Sequence, residues 1–426
     1  MSTSIIPSAT AIAKKRKIFW LDKLAKRSLL KRLQNISKGY LLIQDNDETY
    51  SFGSKQNTSY PKATIRINDS QFYSAIAFGG SVSAGEAYFL GYWDCDDLTS
   101  LVRILLINRD VLDNMDESLS NIQVPITKIL HWLNRNTRKG SRRNISAHYD
   151  LGNDLFKLFL DKNMMYSSAI YPSKESSLEE ASTYKVDRIC QKLQLSSDDH
   201  VLEIGTGWGG LALHAATHYG CKVTTTTISK EQFELATQRV REAGLENKIT
   251  ILLSDYRDLT GKFDKIVSIE MIEAIGHQYI NTYFEKCGNL LKPNGSMLIQ
   301  AITIADQRYK AALKEVDFIK RYIFPGCFIP SVSAMQNAIT DSSDMRIFNL
   351  EDIGPHYART LHDWRVHFFE KIDDVKSLGY PKEFIRLWEF YLCYCEGSFE
   401  ERAISDVQLL LVKPENRIDF PSRNIN

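Results

Sequence analysis

The 426-residue sequence contains no apolar run close to the roughly 20 residues that a membrane-spanning helix requires. Its seven cysteines are odd in number and scattered, which excludes a disulfide scaffold and indicates reduced thiols in a cytosolic protein. Cys393 and Cys395 lie two positions apart, but no second pair of Cys or His accompanies them, so we expect no metal site. The apolar fraction of 43% and the charged fraction of 25% are typical of globular proteins, and the length predicts about two or three domains.

The net charge is only +1, but the positive charge is unevenly distributed. Residues 1–40 contain ten Lys or Arg and a single acid, Asp22. Residues 1–13 are uncharged and are predicted to be a disordered tail; the basic cluster follows them, which reverses the order of a signal peptide. From Lys14 to Leu33, apolar residues recur at helical spacing, so residues 1–33 are predicted to be a basic tail and amphipathic helix. This helix either lies on an anionic membrane surface or is the first helix of a domain with a solvated basic face.

Composition divides the remaining chain into a small module, a linker and a large domain. Residues 34–133 are predicted to form a small α+β domain, and the polar, basic residues 134–146 are typical of a linker. In the domain at 147–426, predicted strands alternate with helices. The strands are 201–204, 222–227, 249–253, 265–269 and 296–302, and the helices are 147–162, 178–193, 208–219, 230–243 and 278–291. This alternation predicts a doubly wound α/β fold, with a parallel sheet covered by helices on both faces.

The stretch VLEIGTGWGG, residues 201–210, places four glycines directly after the first of these strands. Ligands bind at this end of a doubly wound sheet, and the G-x-G-x-x-G spacing also fits a dinucleotide site. Glu203 would repel a pyrophosphate but attract an ammonium group. No acid ends the second strand, where a nicotinamide enzyme binds its ribose, whereas Asp255 follows the third and is placed for the adenine amine. These features favour S-adenosylmethionine; a nicotinamide dehydrogenase and a purely structural turn are the alternatives.

Several stretches, in this order, resemble the cyclopropane fatty acid synthase family, which includes the mycolic acid methyltransferases. They are HYDLGNDLFKLFLDKNMMYSSAIY (148–171), VLEIGTGWGG, TISKEQ (227–232), LLSDYRDL (252–259), SIEMIEAIGHQY (268–279), DFIKRYIFPG (317–326), GPHYARTLHDW (354–364) and YLCYCEGSFEER (391–402). More weakly, GEAYFLGYWDCDDL (85–98) resembles the family's N-terminal lipid-engaging domain. The resemblance implies a Rossmann-like class I methyltransferase domain with a helical cap, preceded by a smaller lipid-engaging domain, and S-adenosylmethionine as cofactor.

The reaction that this resemblance implies adds the sulfonium methyl group to the cis double bond of a phospholipid acyl chain. A carbocation forms, a bound bicarbonate assists its deprotonation, and a cyclopropane results. The resemblance assigns to the bicarbonate site Glu273, Tyr357, Ser168, Gln300 and the backbone of Ile302. It assigns to S-adenosylmethionine binding Tyr166, Ser167, Gly205, Gly207, Gly209, Thr227, Gln232, Asp255 and Tyr256. Glu203, the candidate partner of the ammonium group, completes this set. Aromatic faces would stabilise the cation. We expect at least half of the aromatic candidates to be ordinary core residues. The candidates are Tyr166, Tyr171, Tyr309, Phe318, Tyr322, Phe324, Tyr357, Trp364 and Phe368.

Two of these positions depart from the family pattern. Ser168 stands where many members have Cys, and Gln300 stands where simple bacterial members have His; neither replacement titrates near neutral pH. The departures leave open a methylene- or methyl-branched product, and also a lipid-binding paralogue without catalysis. Cys395 matches a cysteine long associated with the family's active site. Methylation of an alkene needs no covalent step, so we expect Cys395 to be a pocket or structural thiol.

The implied partners are unsaturated phospholipid acyl chains and an anionic membrane surface, without nucleic acid. We therefore expect a cytoplasmic protein that associates peripherally with the membrane, and the resemblance implies a homodimer. A methyltransferase acting on a small amine or phenol is the remaining alternative, but such an enzyme would not need the aromatic set.

Overall fold

A computed structural model describes residues 19–109 and 151–419 of the chain. The predicted tail at 1–13, the first part of the predicted basic helix and the predicted linker at 134–146 lie outside the described residues. The chain divides into two compact units. Of the described residues, the first unit contains 19–109, Lys314–Gly326 and Tyr357–Ile404, and the second contains 151–313, Cys327–His356 and 405–419.

The first unit begins with a small sheet flanked by helices. Its elements in chain order are α1 (Phe19–Leu33), β1 (Tyr40–Asp45), β2 (Glu48–Gly53), β3 (Lys62–Ile67), α2 (Gln71–Phe89), β4 (Trp93–Cys95) and α3 (Leu98–Ile107). The strand order is β2-β1-β3-β4, with β1 antiparallel to β2 and parallel to β3. A two-residue turn joins β1 to β2, and Asn46 supplies the positive φ of 52° that such hairpin turns require.

Helix α1 belongs to this folded unit. Ala25, Leu29 and Leu33 are buried, and the helix packs against α2. The Lys26 ammonium lies 2.5 Å from Asp45 and 2.6 Å from Glu48 on the hairpin. The structure therefore supports the second interpretation of the basic sequence for its described part: a domain helix whose apolar face is already covered.

The second unit contains the alternating strands and helices. In chain order they are α4 (Asn153–Phe159), α5 (Leu178–Lys192), β5 (His200–Ile204), α6 (Gly210–His218), β6 (Lys222–Thr227), α7 (Lys230–Glu242), β7 (Ile249–Leu253), β8 (Phe263–Ile269), α8 (Ile280–Leu290), β9 (Leu291–Ile304), α9 (Asp306–Ala312), α10 (Val332–Ser342), β10 (Arg346–Asp352) and β11 (Ile404–Val412). The predicted doubly wound class is confirmed. Strands β10 and β11 were outside the sequence-based prediction.

The large sheet has seven strands in the order β10-β11-β9-β8-β5-β6-β7. Strands β9, β8, β5, β6 and β7 are parallel to their neighbours in this series, and β10 is antiparallel to β11. Successive side chains of β5 point to opposite faces of the sheet, and Val201 belongs to one buried apolar cluster while Leu202 belongs to the other. Both faces of the sheet are thus covered, as parallel sheets require.

Three further helices complete the first unit: α11 (Gly354–Glu370), which begins in the second unit, α12 (Ile372–Ser377) and α13 (Lys382–Glu400). Helix α13 packs against α2 and α3. The approach to α3 depends on Gly397, since a Cβ there would lie 2.9 Å from Val102 Cγ1. Among the helices that the structure describes, none is long and apolar enough to cross a bilayer.

Candidate active site

The glycine loop between β5 and α6 has the backbone of a ligand cradle. Gly205, Gly207 and Gly209 have φ angles of 101°, 52° and 84°, a region that residues with a Cβ rarely occupy. The amides of Gly205 and Thr206 donate to the Thr226 carbonyl at 3.0 and 3.1 Å, which fixes the loop to β6. A Cβ built on Gly207 would meet nothing within 4 Å. The loop therefore borders open space that a ligand can occupy.

Glu203 places a buried carboxyl group beneath this loop. Its side chain is 4% exposed, and Oε2 has no hydrogen-bond partner among the described residues. Burial raises the pKa of Glu203 to about 8, while a hydrogen bond from Thr225 and the charge of Lys185 act in the opposite direction. A buried acceptor without a partner fits a ligand that brings a cation, such as the ammonium group of S-adenosylmethionine.

The ends of the next two strands supply further polar groups at the same edge of the sheet. Thr227 donates to Gln232 Oε1 at 2.8 Å, and both side chains are buried. Asp255 already accepts from the Arg257 guanidinium at 2.8 and 2.6 Å. This bidentate pairing fixes the direction of the Asp255 carboxyl group. Tyr256 is buried beside it, and its hydroxyl has no partner among the described residues.

Aromatic rings connect α4 to the glycine loop. The Phe156 ring lies 5.1 Å from Tyr166 and 5.0 Å from Trp208, and Trp208 Nε1 donates to Asn153 at 2.8 Å. The residue after Tyr166, Ser167, accepts a hydrogen bond from Lys185 Nζ at 2.7 Å. The described part of the predicted helix at 147–162 thus contacts the cofactor candidate Tyr166, and Lys185 on α5 contacts the candidate Ser167.

Glu273 is a second buried carboxyl group with only one of its two oxygens hydrogen-bonded to the described residues. Oε1 accepts from the Ile302 amide at 2.6 Å, and Oε2 has no hydrogen-bond partner among the described residues. Burial, followed by the charge of Glu270, raises the pKa of Glu273 to about 8. The structure thus brings together two of the predicted bicarbonate-site residues, Glu273 and Ile302.

The two residues that depart from the family pattern both contact Glu270, which the sequence reasoning missed. Glu270 Oε1 accepts from the Ser168 amide and from Gln300 Nε2, each at 2.8 Å. Gln300 Nε2 also donates to Asp406 at 2.9 Å, while the Ser168 hydroxyl donates to the Ala169 carbonyl at 3.0 Å. The bonds to Glu270 and Asp406 use both amide hydrogens of Gln300.

Sequence offers a signal for only one of the two additional carboxyl groups. Glu270 directly follows the predicted strand 265–269 and lies three positions before Glu273 in SIEMIEAIG, so its place at the carboxyl edge of the sheet could have been found. Asp406 lies on β11, and nothing in its local sequence marks a site. In the sequence, Lys185 resembles an ordinary charged residue of a helix, although its side chain is fully buried in the structure.

Tyr357 and Cys395 lie in the first unit. The Tyr357 ring stacks on Phe399 at 4.4 Å and meets Trp364 edge-on at 6.1 Å. Cys395 lies on α13, partly exposed, and all seven cysteines are free thiols. Burial raises the pKa of the nearby Cys393 to about 12. Within 19–109 and 151–419, no group of three or more His, Cys, Asp or Glu side chains is arranged to hold a metal ion.

The nine aromatic candidates divide by accessibility. Those buried in the core are Tyr171, Phe318, Tyr357, Trp364 and Phe368, and those partly accessible are Tyr166, Tyr309, Tyr322 and Phe324. Phe318 shows how closely the buried group is packed, because a Cβ on Gly85 would lie 2.4 Å from its ring.

Comparisons with known proteins match this chain to a protein family. A sequence profile described as "Mycolic acid cyclopropane synthetase" matches residues 136–409. The chain is 37% identical to the tuberculostearic acid methyltransferase UfaA1 of Mycobacterium tuberculosis, over 85% of this chain and 87% of that protein. It is also 37% identical to the cyclopropane-fatty-acyl-phospholipid synthase of Escherichia coli K12, over 83% and 87%. The crystal structure of the mycolic acid cyclopropane synthase CmaA1 complexed with SAH and CTAB superimposes with a TM-score of 0.58 at 28% identity, covering 64% of this chain and 98% of that one.

Proposed function

The chain belongs to the mycolic acid cyclopropane synthetase family of S-adenosylmethionine-dependent methyltransferases, and we propose that it acts on the cis double bond of an unsaturated phospholipid acyl chain, giving a cyclopropane. The observation that carries the proposal is the pair of buried carboxyl groups at the strand ends, Glu203 and Glu273. Each keeps an oxygen without a hydrogen-bond partner among the described residues. One fits a cationic cofactor, and the other fits an acid–base step.

We assign the cofactor contacts to the strand ends of the second unit. Glu203 would pair with the ammonium group, and the backbone at Gly207 leaves room for close approach. Asp255, held in direction by Arg257, would accept from the adenine amine. The bound cofactor supplies an electrophilic methyl group, and these residues orient it.

Glu273 is the group of the second unit that best fits bicarbonate. Bicarbonate, when bound, supplies a base that takes a proton from the transferred carbon. Below about pH 8 the Glu273 carboxyl group is protonated and can donate from Oε2 to an anion. The amide of Ile302 and the side-chain amide of Gln300 already donate to carboxyl groups. We therefore assign bicarbonate binding in the second unit to Glu273. The roles of Tyr357 and Cys395 stay predictions from the resemblance.

A methylene- or methyl-branched product is the second candidate. The chain is equally identical, at 37%, to a protein named as a tuberculostearic acid methyltransferase and to one named as a cyclopropane synthase. The Ser168 hydroxyl donates to the Ala169 carbonyl, and the side-chain amide of Gln300 donates to Glu270 and Asp406 instead of to a bound anion. A different deprotonation of the same cation would give the branched product.

The substrate places the enzyme at a membrane surface, and α1 provides a basic face for it. Lys23, Arg27 and Lys31 are exposed one helical turn apart, and the exposed Leu24 lies among them. We propose that this face approaches an anionic leaflet from the cytoplasm, with about 1 kcal/mol of attraction for each basic residue near the surface. Homodimer formation stays a prediction.

The test is the lipid product of a host that expresses the chain and receives methyl-labelled methionine. Mass spectrometry should show acyl chains that gain one labelled CH2 and fragment as rings. A labelled exo-methylene or methyl branch would select the second candidate. A host expressing Glu273→Gln is the control, and the absence of labelled lipid in the wild-type host would contradict the proposal and favour a small-molecule acceptor or a non-catalytic lipid-binding protein.

A further inference from the structure

Two carboxyl groups that the proposed function leaves without a role converge on one amide nitrogen. Gln300 Nε2 lies 2.8 Å from Glu270 Oε1 and 2.9 Å from Asp406 Oδ2. Asp406 is completely buried, and its Oδ1 has no hydrogen-bond partner among the described residues. Glu270 is partly exposed at the carboxyl end of β8. The pair thus joins the interior of the sheet to the edge where ligands bind.

Hydrogen bonding to the amide oxygen of Gln300 fixes the orientation of its side chain. Its Oε1 accepts from Gln408 Nε2 at 3.0 Å, and Gln408 Oε1 accepts from Lys192 Nζ at 2.6 Å. Lys192 can only donate, so it sets the orientation of Gln408, which in turn sets that of Gln300. The NH2 group of Gln300 therefore faces the two carboxyl groups.

Burial and the neighbouring carboxyl groups disfavour the ionised form of Asp406. Two carboxylates that share one donor in a buried site repel each other strongly. Burial, followed by the charges of Glu270 and Glu273, raises the pKa of Asp406 well above its ordinary range, and Lys185 opposes this only in part. Lys185 itself is fully buried, faces Asp161 and Glu203 as well, and burial lowers its pKa. Burial and the neighbouring carboxyl groups thus favour the protonated form of Asp406, whose proton lies beside Glu270.

We infer that Glu270 and Asp406 form a proton-sharing pair in which the proton released by the reaction comes to rest. The inference rests on the proposed function. In the ring-closing step, a C–H bond of the transferred carbon breaks, its electron pair forms the last C–C bond of the ring, and the proton ends on the pair, which then holds two. Glu270 is the member that exchanges with the ligand space, and Asp406 positions its proton. Glu270 also has a φ of 47°, a strained conformation that functional residues often hold.

The first measurement is infrared spectroscopy of the cofactor-free protein at neutral pH. The wild type should show the carbonyl band of a buried protonated carboxylic acid that Asp406→Asn lacks. Glu285→Gln, which removes an exposed carboxylate on α8, should retain the band. A spectrum of Asp406→Asn that equals the wild type would overturn the shared proton.

The second measurement is single-turnover transfer from labelled S-adenosylmethionine to unsaturated phospholipid vesicles, as a function of pH. Glu270→Gln should slow transfer by about 100-fold or more and change the pH profile, while affinity for S-adenosylhomocysteine stays within threefold of wild type. An unchanged rate, or a slower rate with the wild-type pH profile, would overturn the inference.

The two measurements separate the inference from the proposed function. Binding of S-adenosylhomocysteine shows that a variant is folded, and if Asp406→Asn fails to bind it, Glu270→Gln carries the test through a shifted carbonyl band. Wild-type protein that yields no labelled lipid would refute the proposed function, and with it the proton-accepting role. The infrared result would then still decide whether the pair shares a proton.

Discussion

The buried carboxyl group of Glu203 predicts that cofactor binding releases a proton. Without ligand, burial raises the pKa of Glu203 to about 8, so the group is mostly protonated at pH 6. Pairing with the ligand's ammonium group requires the ionised form. Affinity for S-adenosylhomocysteine should therefore rise with pH between 5.5 and 7.5, and the Glu203→Gln variant should lose this dependence.

The magnitude follows from the pKa. For each pH unit below the pKa of the free site, ionising the group costs about 1.4 kcal/mol, which corresponds to a tenfold change in affinity. The slope should flatten towards pH 8, because the free Glu203 is then ionised and the ligand's α-amino group, with a pKa of roughly 8, begins to lose its own proton. Glu203→Gln replaces a charged hydrogen bond with a neutral one, so it should weaken binding at pH 7.5 by about 2 kcal/mol.

Isothermal titration in two buffers with different ionisation enthalpies measures both effects. The wild type should release close to one proton per site at pH 6, and Glu203→Gln should release none. Glu285→Gln is the matched control, because it makes the same chemical change on an exposed part of α8. Affinity that does not change with pH, or proton uptake on binding, would refute the assignment of Glu203 to the ammonium group.

Three further predictions test other parts of the molecule. Gly207→Ala should weaken S-adenosylhomocysteine binding at least about tenfold, because it strains a positive φ and fills the open cradle; equal affinity in calorimetry would show that the ligand does not approach there. Glu273→Gln should lose most lipid transfer in a vesicle assay yet keep cofactor affinity, and an equal loss of both would place it in the cofactor site. Charge reversal of Lys23, Arg27 and Lys31 should weaken co-sedimentation with anionic vesicles by about 1 kcal/mol or more per residue, with neutral vesicles as the control; unchanged binding would exclude this face of α1.

Sequence patterns identified the strands of the large sheet most reliably where the strands are short, apolar and bounded by turn residues. The predicted strand 222–227 coincides with β6. By contrast, β9 begins at Leu291, five positions before its predicted start. The intervening Pro293 and Gly295 are strong turn signals, yet Leu291 pairs with Phe263 across a register shift. Tertiary pairing here overrides local preference, and such pairing leaves no mark in the local sequence.

Helix α1 shows why periodicity alone could not decide between two environments. The same spacing of apolar residues suits a membrane surface and a neighbouring helix. The structure separates the two because Ala25 is buried and Leu24 is 58% exposed. Ala25, Leu29 and Leu33 are covered within the folded unit, so only the basic face around the exposed Leu24 is left for a membrane surface.

A resemblance assigns each site residue from its own position in a motif, so it cannot show which residues contact one another in the folded chain. Ser168 and Gln300 appeared as two independent departures from the family pattern, each keeping a hydrogen-bond donor. In the folded chain the backbone amide of Ser168 and the side-chain amide of Gln300 donate to the same oxygen of Glu270. A glutamine can bridge Glu270 and Asp406 through one NH2 group without titrating near neutral pH, whereas a histidine at that position would offer a single N–H to them and could take up the proton itself. The presence of Gln300 therefore leaves the proton on the two carboxyl groups, so the departure at 300 belongs to an arrangement organised around Glu270, whereas the Ser168 side chain bonds to the Ala169 carbonyl.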